Sequence, residues 1–278
     1  MPMSIIDVRQ TLRAEEMEYT FVNNINTLDT FLSANPSYEG VSIFSTMGSF
    51  SSGFITKRLM NGCWAVIFSK HTTDYQNSIH DFVNYENANG RRVLIHSMEN
   101  RSILEELIKQ KPVRAIPNIL IHSTNKAIFS KILKDKKLIA PCFIGEKKRW
   151  NYGNEPSEID RYLDNEPEEY KKFVMLEEMN GNSELVMCMY QHKSFNVTEE
   201  TCYEPGVRFY LNARKMHEDG ILVFDGVHLA KVYKDIDLDK YLEATIRIDD
   251  LETRELWNPK IFQDMSNKYY EKKCLTIG

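Results

Sequence analysis

The chain has 278 residues, of which 42% are hydrophobic, so it is long enough for one large domain or two ordinary ones. Its formal net charge of −5 excludes a protein that coats DNA non-specifically, although a local basic patch can still exist. The five cysteines form no C-x-x-C pair, which favours reduced thiols in the cytoplasm. The N-terminus lacks a signal-peptide pattern, and no apolar run approaches the ~18 residues that a membrane span needs. We therefore expect a cytoplasmic protein without a membrane segment.

The first part of the chain predicts an α/β domain. Residues 1 to about 38 have apolar side chains at roughly helical spacing and predict helix. From Gly40 onward, continuous apolar runs alternate with helical patterns. Strands are predicted at 41–45, 63–69 and 91–97, and helices at 54–62, 74–89 and 102–110. Such an alternation predicts a parallel sheet in a three-layer arrangement, with helices on both faces.

The pattern changes after Pro117. One further strand and helix, at 119–135, precede a polar, turn-rich segment at 145–170 that predicts a long loop or lid. Strand-like runs then follow one another, mostly without a clear helix between them, which predicts an antiparallel or mixed β-rich domain. We expect two domains: an α/β recognition or regulatory domain at 1–115, and an α+β domain at 117–278.

A glycine- and hydroxyl-rich stretch, STMGSFSSG at 45–53, lies between a predicted strand and a predicted helix. Such a turn can hold a phosphate on its backbone N–H groups. The spacing from Gly48 to Gly53 lacks the Lys-Ser/Thr of a P-loop, so an ordinary turn is favoured over phosphate binding.

The motif Leu-Ile-His-Ser occurs twice, at 94–97 and at 120–123. Two copies do not establish a repeat, because any buried strand that leads into a helix has this pattern. The second copy is followed by other short motifs: Ile-Leu at 132–133, Leu-Ile at 138–139, Phe-Tyr-Leu at 209–211 with Arg214 and Met216, and a glutamate, Glu255, near the C-terminus. In this order the motifs resemble ADP-ribosyltransferases of the DarT type, which modify nucleic acid. The resemblance covers residues 117–278 only.

The resemblance implies an ADP-ribosyltransferase-like fold for this domain and transfer of ADP-ribose from NAD to a macromolecule. The transition state of that reaction is expected to resemble an oxocarbenium ion, so an enzyme would orient NAD and stabilise charge on the ribose. His122 would then bond a ribose hydroxyl, Tyr210 would stack on nicotinamide, and Glu255 would face the ribose and act as a base. Glu243, which also begins a predicted strand, and Glu252 are alternatives for the carboxylate.

Neighbouring residues could complete an NAD site. Arg208 and Arg214 flank Tyr210 at even spacing and could reach a pyrophosphate. Ser123, Thr124 and Asn125 follow His122 and could bind an anion, although capping a helix is their commoner use. Each candidate also has a purely structural alternative: a backbone-bonded His122, a core Tyr210, and solvated arginines. The spacing of His217, Asp225 and His228 fits no metal-ligand pattern, so we expect no metal.

Basic and aromatic residues at 126–152 could contact RNA or single-stranded DNA, although a solvated helix face is the commoner use of such a stretch. The family resemblance suggests a toxin or phage-defence effector, and a protein partner could neutralise it. Two alternatives stay open. The chain could be a non-catalytic adaptor that works through its N-terminal domain, or an NAD hydrolase.

Overall fold

The computed structural model describes residues 16–22, 40–51, 53–59, 63–144 and 168–275. The chain divides into two compact units. Unit 1 comprises Met1–Ala115 together with Val223–Leu229, and unit 2 comprises Ile116–Leu222 with Ala230–Gly278. The main division thus falls between Ala115 and Ile116, close to Pro117. The return of Val223–Leu229 to unit 1 differs from the two contiguous domains that the sequence predicts.

Unit 1 contains a five-stranded sheet. Its strands are Tyr19–Val22 (β1), Val41–Gly48 (β2), Phe54–Arg58 (β3), Trp64–Ser69 (β4) and Arg92–His96 (β5). They lie in the order β1-β5-β2-β4-β3, and all neighbours are parallel except β3, which runs antiparallel to β4. The helix Gln76–Ala88 (α1) connects β4 to β5, and the helix Arg101–Lys109 (α2) follows β5. The fold of this unit is mixed α/β.

Two predictions for unit 1 are wrong. The segment 54–62 was expected to be a helix, but its first five residues form the edge strand β3. Short apolar runs carry little periodicity, so the β-branched Ile55 and Thr56 decide for strand. Tyr19–Val22 is likewise a strand, which pairs with β5, and not part of an N-terminal helix. The rest of that predicted helix lies mostly outside the described residues.

An aromatic cluster fills the space between the sheet and α1. The Phe44 ring on β2 lies 5.3 Å from that of Phe68 on β4 and 5.7 Å from that of Phe82 on α1. All three side chains are buried. The other face of the sheet buries Ile43, Ala65 and Leu94. Since both faces of β2, β4 and β5 are apolar, these three strands read as continuous hydrophobic runs, as the sequence indicates.

Unit 2 is built on short, mainly antiparallel strands. Its strands within the described residues are Ile119–Thr124 (β6), Lys137–Ile139 (β7), Phe173–Leu176 (β8), Val207–Asn212 (β9), Ala230–Tyr233 (β11), Asp235–Asp237 (β12) and Leu242–Arg247 (β13). The two-residue strand Leu222–Val223 (β10) spans the division between the units, since only Leu222 belongs to unit 2. These strands form sheets in the orders β13-β9-β6, β10-β11-β8 and β12-β7. A bridge between Ile121 and Glu177 joins β6 to the segment after β8.

The α-helices of unit 2 in the described residues are Phe129–Asp135 (α3), Ser183–His192 (α4), Ala213–Glu218 (α5), Leu238–Tyr241 (α6) and Pro259–Leu275 (α7). The antiparallel strands agree with the successive strand-like runs of the sequence, but one of those runs, ELVMCMYQ at 184–191, forms the helix α4. Of the predicted loop at 145–170, residues 145–167 lie outside the described residues. No helix in the described part of either unit is long and apolar enough to cross a membrane.

Candidate functional site

A cleft of about 890 Å³ opens in unit 2 where several chain segments end. Its walls come from the start of β6, the turn after β8, the end of β9, the start of β13 and the helix α7. The lining residues are Pro117, Asn118, Ile119, Glu178, Met179, Asn180, Asn212, Arg214, Glu243, Tyr270 and Glu271. Amide, carboxylate and guanidinium groups therefore share the cleft with one aromatic ring.

A β-bulge brings Glu243 to the cleft. The register between β13 and β9 shifts between Leu242 and Ala244, which pair with Leu211 and Tyr210 and leave Glu243 between them. A bulge of this kind re-aims the side chain at its extra residue. The Glu243 Oε1 atom accepts a hydrogen bond of 2.6 Å from the Nδ2 of Asn212. The bulge thus places an exposed carboxylate at the end of the sheet with a defined orientation.

The side chain of Asn212 links strand β13 to helix α5 at the edge of the cleft. Its Oδ1 atom caps α5 by accepting a 2.9 Å hydrogen bond from the backbone N–H of Lys215, while its Nδ2 donates to Glu243. Because both ends of the amide are used, the side chain is held in one orientation. The cap also fixes the first turn of α5, which carries Arg214 into the cleft lining.

Among the residues that the structure describes, Arg214 is the only cation that lines this cleft, and it has no ion-pair partner. Three carboxylates, those of Glu178, Glu243 and Glu271, line the same cleft. A guanidinium binds phosphate or carboxylate with paired hydrogen bonds, whereas carboxylates stabilise positive charge. The arrangement therefore suits a ligand that carries an anionic part and a cationic or donor-rich part.

His122 does not reach the face of the sheet that bears Tyr210. In the antiparallel register His122 pairs with Phe209, while Tyr210 pairs with Ile121 and Arg208 pairs with Ser123. Directly paired residues point to the same side and neighbours alternate, so His122 and Tyr210 lie on opposite faces. The half-buried imidazole shares a 3.0 Å hydrogen bond with the backbone carbonyl of Met175. The sequence allowed a backbone-bonded His122 as the alternative to a ligand contact, and this bond fits that alternative. His122 and Tyr210 do not share one site in this structure.

Tyr210 and Arg208 are core residues, which corrects their assignment to NAD. Both side chains have no exposed surface. The Tyr210 ring stacks on that of Tyr270 at a centroid distance of 4.4 Å, and because the whole side chain is buried it cannot contact nicotinamide. The Arg208 Nη1 donates a 2.8 Å hydrogen bond to Glu184 Oε1, in an ion pair that is equally buried.

The buried pair is embedded in a hydrogen-bonded network. Glu184 also accepts bonds from Ser123 Oγ at 2.5 Å and from the Tyr203 hydroxyl at 2.6 Å. Burial and the adjacent carboxylate raise the pKa of Tyr203, while burial raises the pKa of Tyr210 to about 12 although Arg208 opposes this. Both phenols therefore stay neutral and serve as hydrogen-bond donors.

The predicted anion site at Ser123, Thr124 and Asn125 is not available in this structure. Ser123 is committed to Glu184, and Thr124 is buried. The side chain of Asn125 accepts a hydrogen bond from the backbone N–H of Ile128 and so caps the short 3₁₀ helix Lys126–Ile128. Capping, the commoner use of such residues, accounts for Asn125.

The structure separates the three candidate glutamates. Glu255 and Glu252 lie exposed in the irregular segment before α7, and neither lines the cleft. Glu255 was expected at the start of a strand, but its segment forms none. Only Glu243, the first alternative, is at the start of a strand and in the cleft. Of the predicted site residues, Glu243 and Arg214 are therefore brought together.

Glu178, Tyr270 and Glu271 were missed by sequence reasoning. The first follows a strand and the other two lie far along the last helix, so only the packing of that helix unites them. No local sequence motif identifies these three residues.

The basic segment 126–152 is described as far as residue 144. Three of its lysines form surface ion pairs, Lys126 with Glu204, Lys136 with Asp239 and Lys137 with Asp235. Lys131 and Lys134 are exposed and form no ion pair among the described residues. The aromatic residues Trp150 and Tyr152 lie outside the described residues. Three of the five lysines in the described part of this segment are thus compensated by carboxylates.

The stretch 45–53 and the residues Asp225 and His228 are in unit 1, whereas His217 is in unit 2. The stretch 45–53 leads from β2 into the antiparallel strand β3, so no helix N-terminus follows it to bind a phosphate. His228 Nδ1 lies 3.0 Å from the buried Asp225 Oδ2, and within the ranges that the structure describes no three His, Cys, Asp or Glu side chains converge as metal ligands do.

No protein-family model matches the chain, and no curated protein or solved structure is significantly similar to it.

Proposed function

We propose that unit 2 has an ADP-ribosyltransferase-like fold, binds NAD in the cleft and transfers its ADP-ribose to a macromolecular acceptor. The observation that carries the proposal is that Glu243 and Arg214 line one cleft at the ends of β13 and β9. Arg214 supplies a positive charge for the pyrophosphate, and Glu243 supplies a negative charge for the cation that develops on the ribose. The motif resemblance over residues 117–278 supports the same reaction class.

In this proposal Arg214 binds the pyrophosphate through its unpaired guanidinium. When the bond between ribose C1′ and nicotinamide breaks, the bonding electrons leave with the nicotinamide, which departs neutral. Positive charge then develops on the ribose, where the Glu243 carboxylate stabilises it. The acceptor attacks C1′ and loses a proton, which Glu243 accepts as a general base. Asn212 holds that carboxylate in place through its 2.6 Å hydrogen bond.

The experiment is incubation of the purified full chain with NAD labelled in its ADP-ribose part, in the presence of RNA, single-stranded DNA or cell protein. Nicotinamide release is measured in parallel. The variants are Glu243→Gln and, as a matched control outside the cleft, Glu255→Gln. Loss of a general base lowers turnover by about 10²-fold or more, so we expect Glu243→Gln to lose activity and Glu255→Gln to retain it.

The outcomes separate the alternatives. Label in one acceptor pool, lost with Glu243→Gln, supports transfer and identifies the acceptor class. Nicotinamide release without labelled acceptor favours the NAD hydrolase. Neither signal from folded wild-type protein refutes the enzyme proposal and favours the non-catalytic adaptor.

The acceptor and the cellular role are parts of the same proposal. A nucleic acid acceptor would use the uncompensated Lys131 and Lys134, and Lys131→Glu with Lys134→Glu would then reduce labelling of nucleic acid.

A toxin or defence effector would arrest the growth of a bacterial host when expressed, and Glu243→Gln would abolish the arrest. A neutralising partner would restore growth by binding the wild-type chain.

A further inference from the structure

One wall of the cleft is hydrogen-bonded to the side chain of Asn267 in α7. The wall segment consists of the cleft-lining residues 178–180, in the turn that follows β8. The Nδ2 of Asn267 donates to the backbone carbonyl of Met179 at 2.9 Å and to the Oδ1 of Asn180 at 3.0 Å. Two of the three residues in the wall segment are thus fastened to one side chain that is itself buried.

The other end of the same amide is fastened to the core of the sheet. The Oδ1 of Asn267 accepts hydrogen bonds from the Tyr210 hydroxyl at 2.9 Å and from Arg208 Nη2 at 3.3 Å. Arginine can only donate and a backbone carbonyl can only accept, so this orientation of the amide is the one that satisfies all partners. Every hydrogen-bonding position of the Asn267 side chain is used.

Two further contacts act on the same wall. Arg208 Nη2 also donates to the Met179 carbonyl at 2.9 Å. Tyr210 stacks on Tyr270, whose ring lines the cleft. Residues on strand β9, on helix α7 and in the wall segment therefore form one connected unit. A network in which every member is satisfied is rigid, and its members depend on one another.

We propose that Asn267 is the positioning residue of the cleft, which sets the wall segment and the Tyr210–Tyr270 stack at the spacing that the ligand requires. The consequence for NAD rests on the proposed function above, but the positioning of the wall does not. Arg208 and Tyr210, which the motif pattern assigns to ligand contact, act here through Asn267 on the residues that line the cleft.

The test compares Asn267→Asp with Asn258→Ala. The first variant keeps the size of the side chain and its acceptors for Tyr210 and Arg208, but it loses both donors to the wall. Asn258 is an equally buried asparagine just before α7, where it caps Ile261 and bonds Glu200 without lining the cleft. Its replacement removes a cap and destabilises the fold, which makes it the control for a general loss of stability.

Hydrogen exchange of the full chain without ligand is the first readout. We expect amides in peptides that cover residues 177–182 to exchange about tenfold faster in Asn267→Asp, as for the loss of one to two hydrogen bonds. In Asn258→Ala these amides should exchange as in the wild type. Equal exchange in Asn267→Asp and the wild type would overturn the proposal, as would the same acceleration in both variants.

Affinity for NAD is the second readout, measured by calorimetry at a temperature where both variants are folded. We expect the Kd to rise about tenfold in Asn267→Asp, the equivalent of one to two hydrogen bonds, and to stay unchanged in Asn258→Ala. If the wild type does not bind NAD, the proposed function fails, and the exchange result still decides the positioning role. Unchanged affinity together with accelerated exchange would overturn the link between the wall and the ligand.

Discussion

Both units contain an arginine–glutamate pair whose carboxylate is buried, but they treat the arginine differently. In unit 1 the side chain of Arg91 is 16% exposed and that of Glu86 is 1% exposed. In unit 2 the side chains of Arg208 and Glu184 are 0% and 1% exposed. Arg91 therefore lies next to solvent, whereas Arg208 does not, and without Arg208 the Glu184 carboxylate keeps only the neutral hydroxyls of Ser123 and Tyr203. The difference indicates that unit 2 depends on an intact charge network more than unit 1 does.

The largest expected effect comes from breaking the two pairs in turn. Arg208→Met leaves Glu184 charged and buried without its cation, which should lower the free energy of unfolding by about 3–5 kcal/mol. Arg91→Met leaves Glu86 with the Ser42 hydroxyl and nearby solvent, so the loss should be about 1–3 kcal/mol, as for hydrogen bonds to charged groups. Denaturant unfolding of the full chain measures both. Equal losses would contradict the distinction between the units.

Two glycines provide the next comparison, because each has a positive φ but only one is enclosed. Gly226 in unit 1 has φ +73°, and a Cβ there would lie 2.3 Å from the Ser78 carbonyl oxygen and 2.7 Å from the Phe82 nitrogen. Gly220 in unit 2 has φ +65° and nothing within 4 Å of such a Cβ. Gly220→Ala should cost only the left-handed conformation, about 1–2 kcal/mol.

Gly226→Ala adds overpacking against the backbone of α1, so we expect a total loss of about 2–4 kcal/mol. Thermal unfolding of both variants makes the comparison. If the two variants lose the same stability, the close approach of Val223–Leu229 to α1 is not tight in solution.

The smallest effect concerns pH and unit 1. Burial lowers the pKa of His80, whose Nδ1 donates a 2.6 Å hydrogen bond to the carbonyl of Ile108. The unfolded chain takes up a proton near the ordinary pKa of about 6.5, but the folded chain resists it, so stability is complete above that pH and falls as the pH drops below it. We expect His80→Gln to flatten the dependence of unfolding free energy on pH between 7.5 and 5. If the variant keeps the pH dependence of the wild type, groups other than His80 cause the loss of stability at acid pH.

Much of the fold follows from local pattern. Continuous apolar runs predict β2, β4 and β5, since these strands are covered on both faces. The strand β3 was missed because five residues with an exposed Phe54 and Ile55 carry no clear period. The return of Val223–Leu229 to unit 1 has no local signal at all, because it depends on a glycine that fits against a distant helix.

The site was harder to predict than the fold for a geometrical reason. The sequence correctly puts Arg208 and Tyr210 on one face of β9, since they are two residues apart. It does not give the register with β6, and a shift by one residue would move His122 to that face. The bulge at Glu243 is equally invisible in the sequence, so the choice between Glu243 and Glu255 could not be made from spacing alone.

The membership of Val223–Leu229 in unit 1 has a consequence for synthesis. A ribosome delivers residues in order, so the N-terminal sheet emerges long before the segment that packs on α1. We therefore expect unit 1 to reach its final form only after Ile116–Leu222 of unit 2 has left the ribosome. A nascent chain arrested before Val223 should be more sensitive to protease within residues 63–115 than one arrested well after Leu229 has emerged.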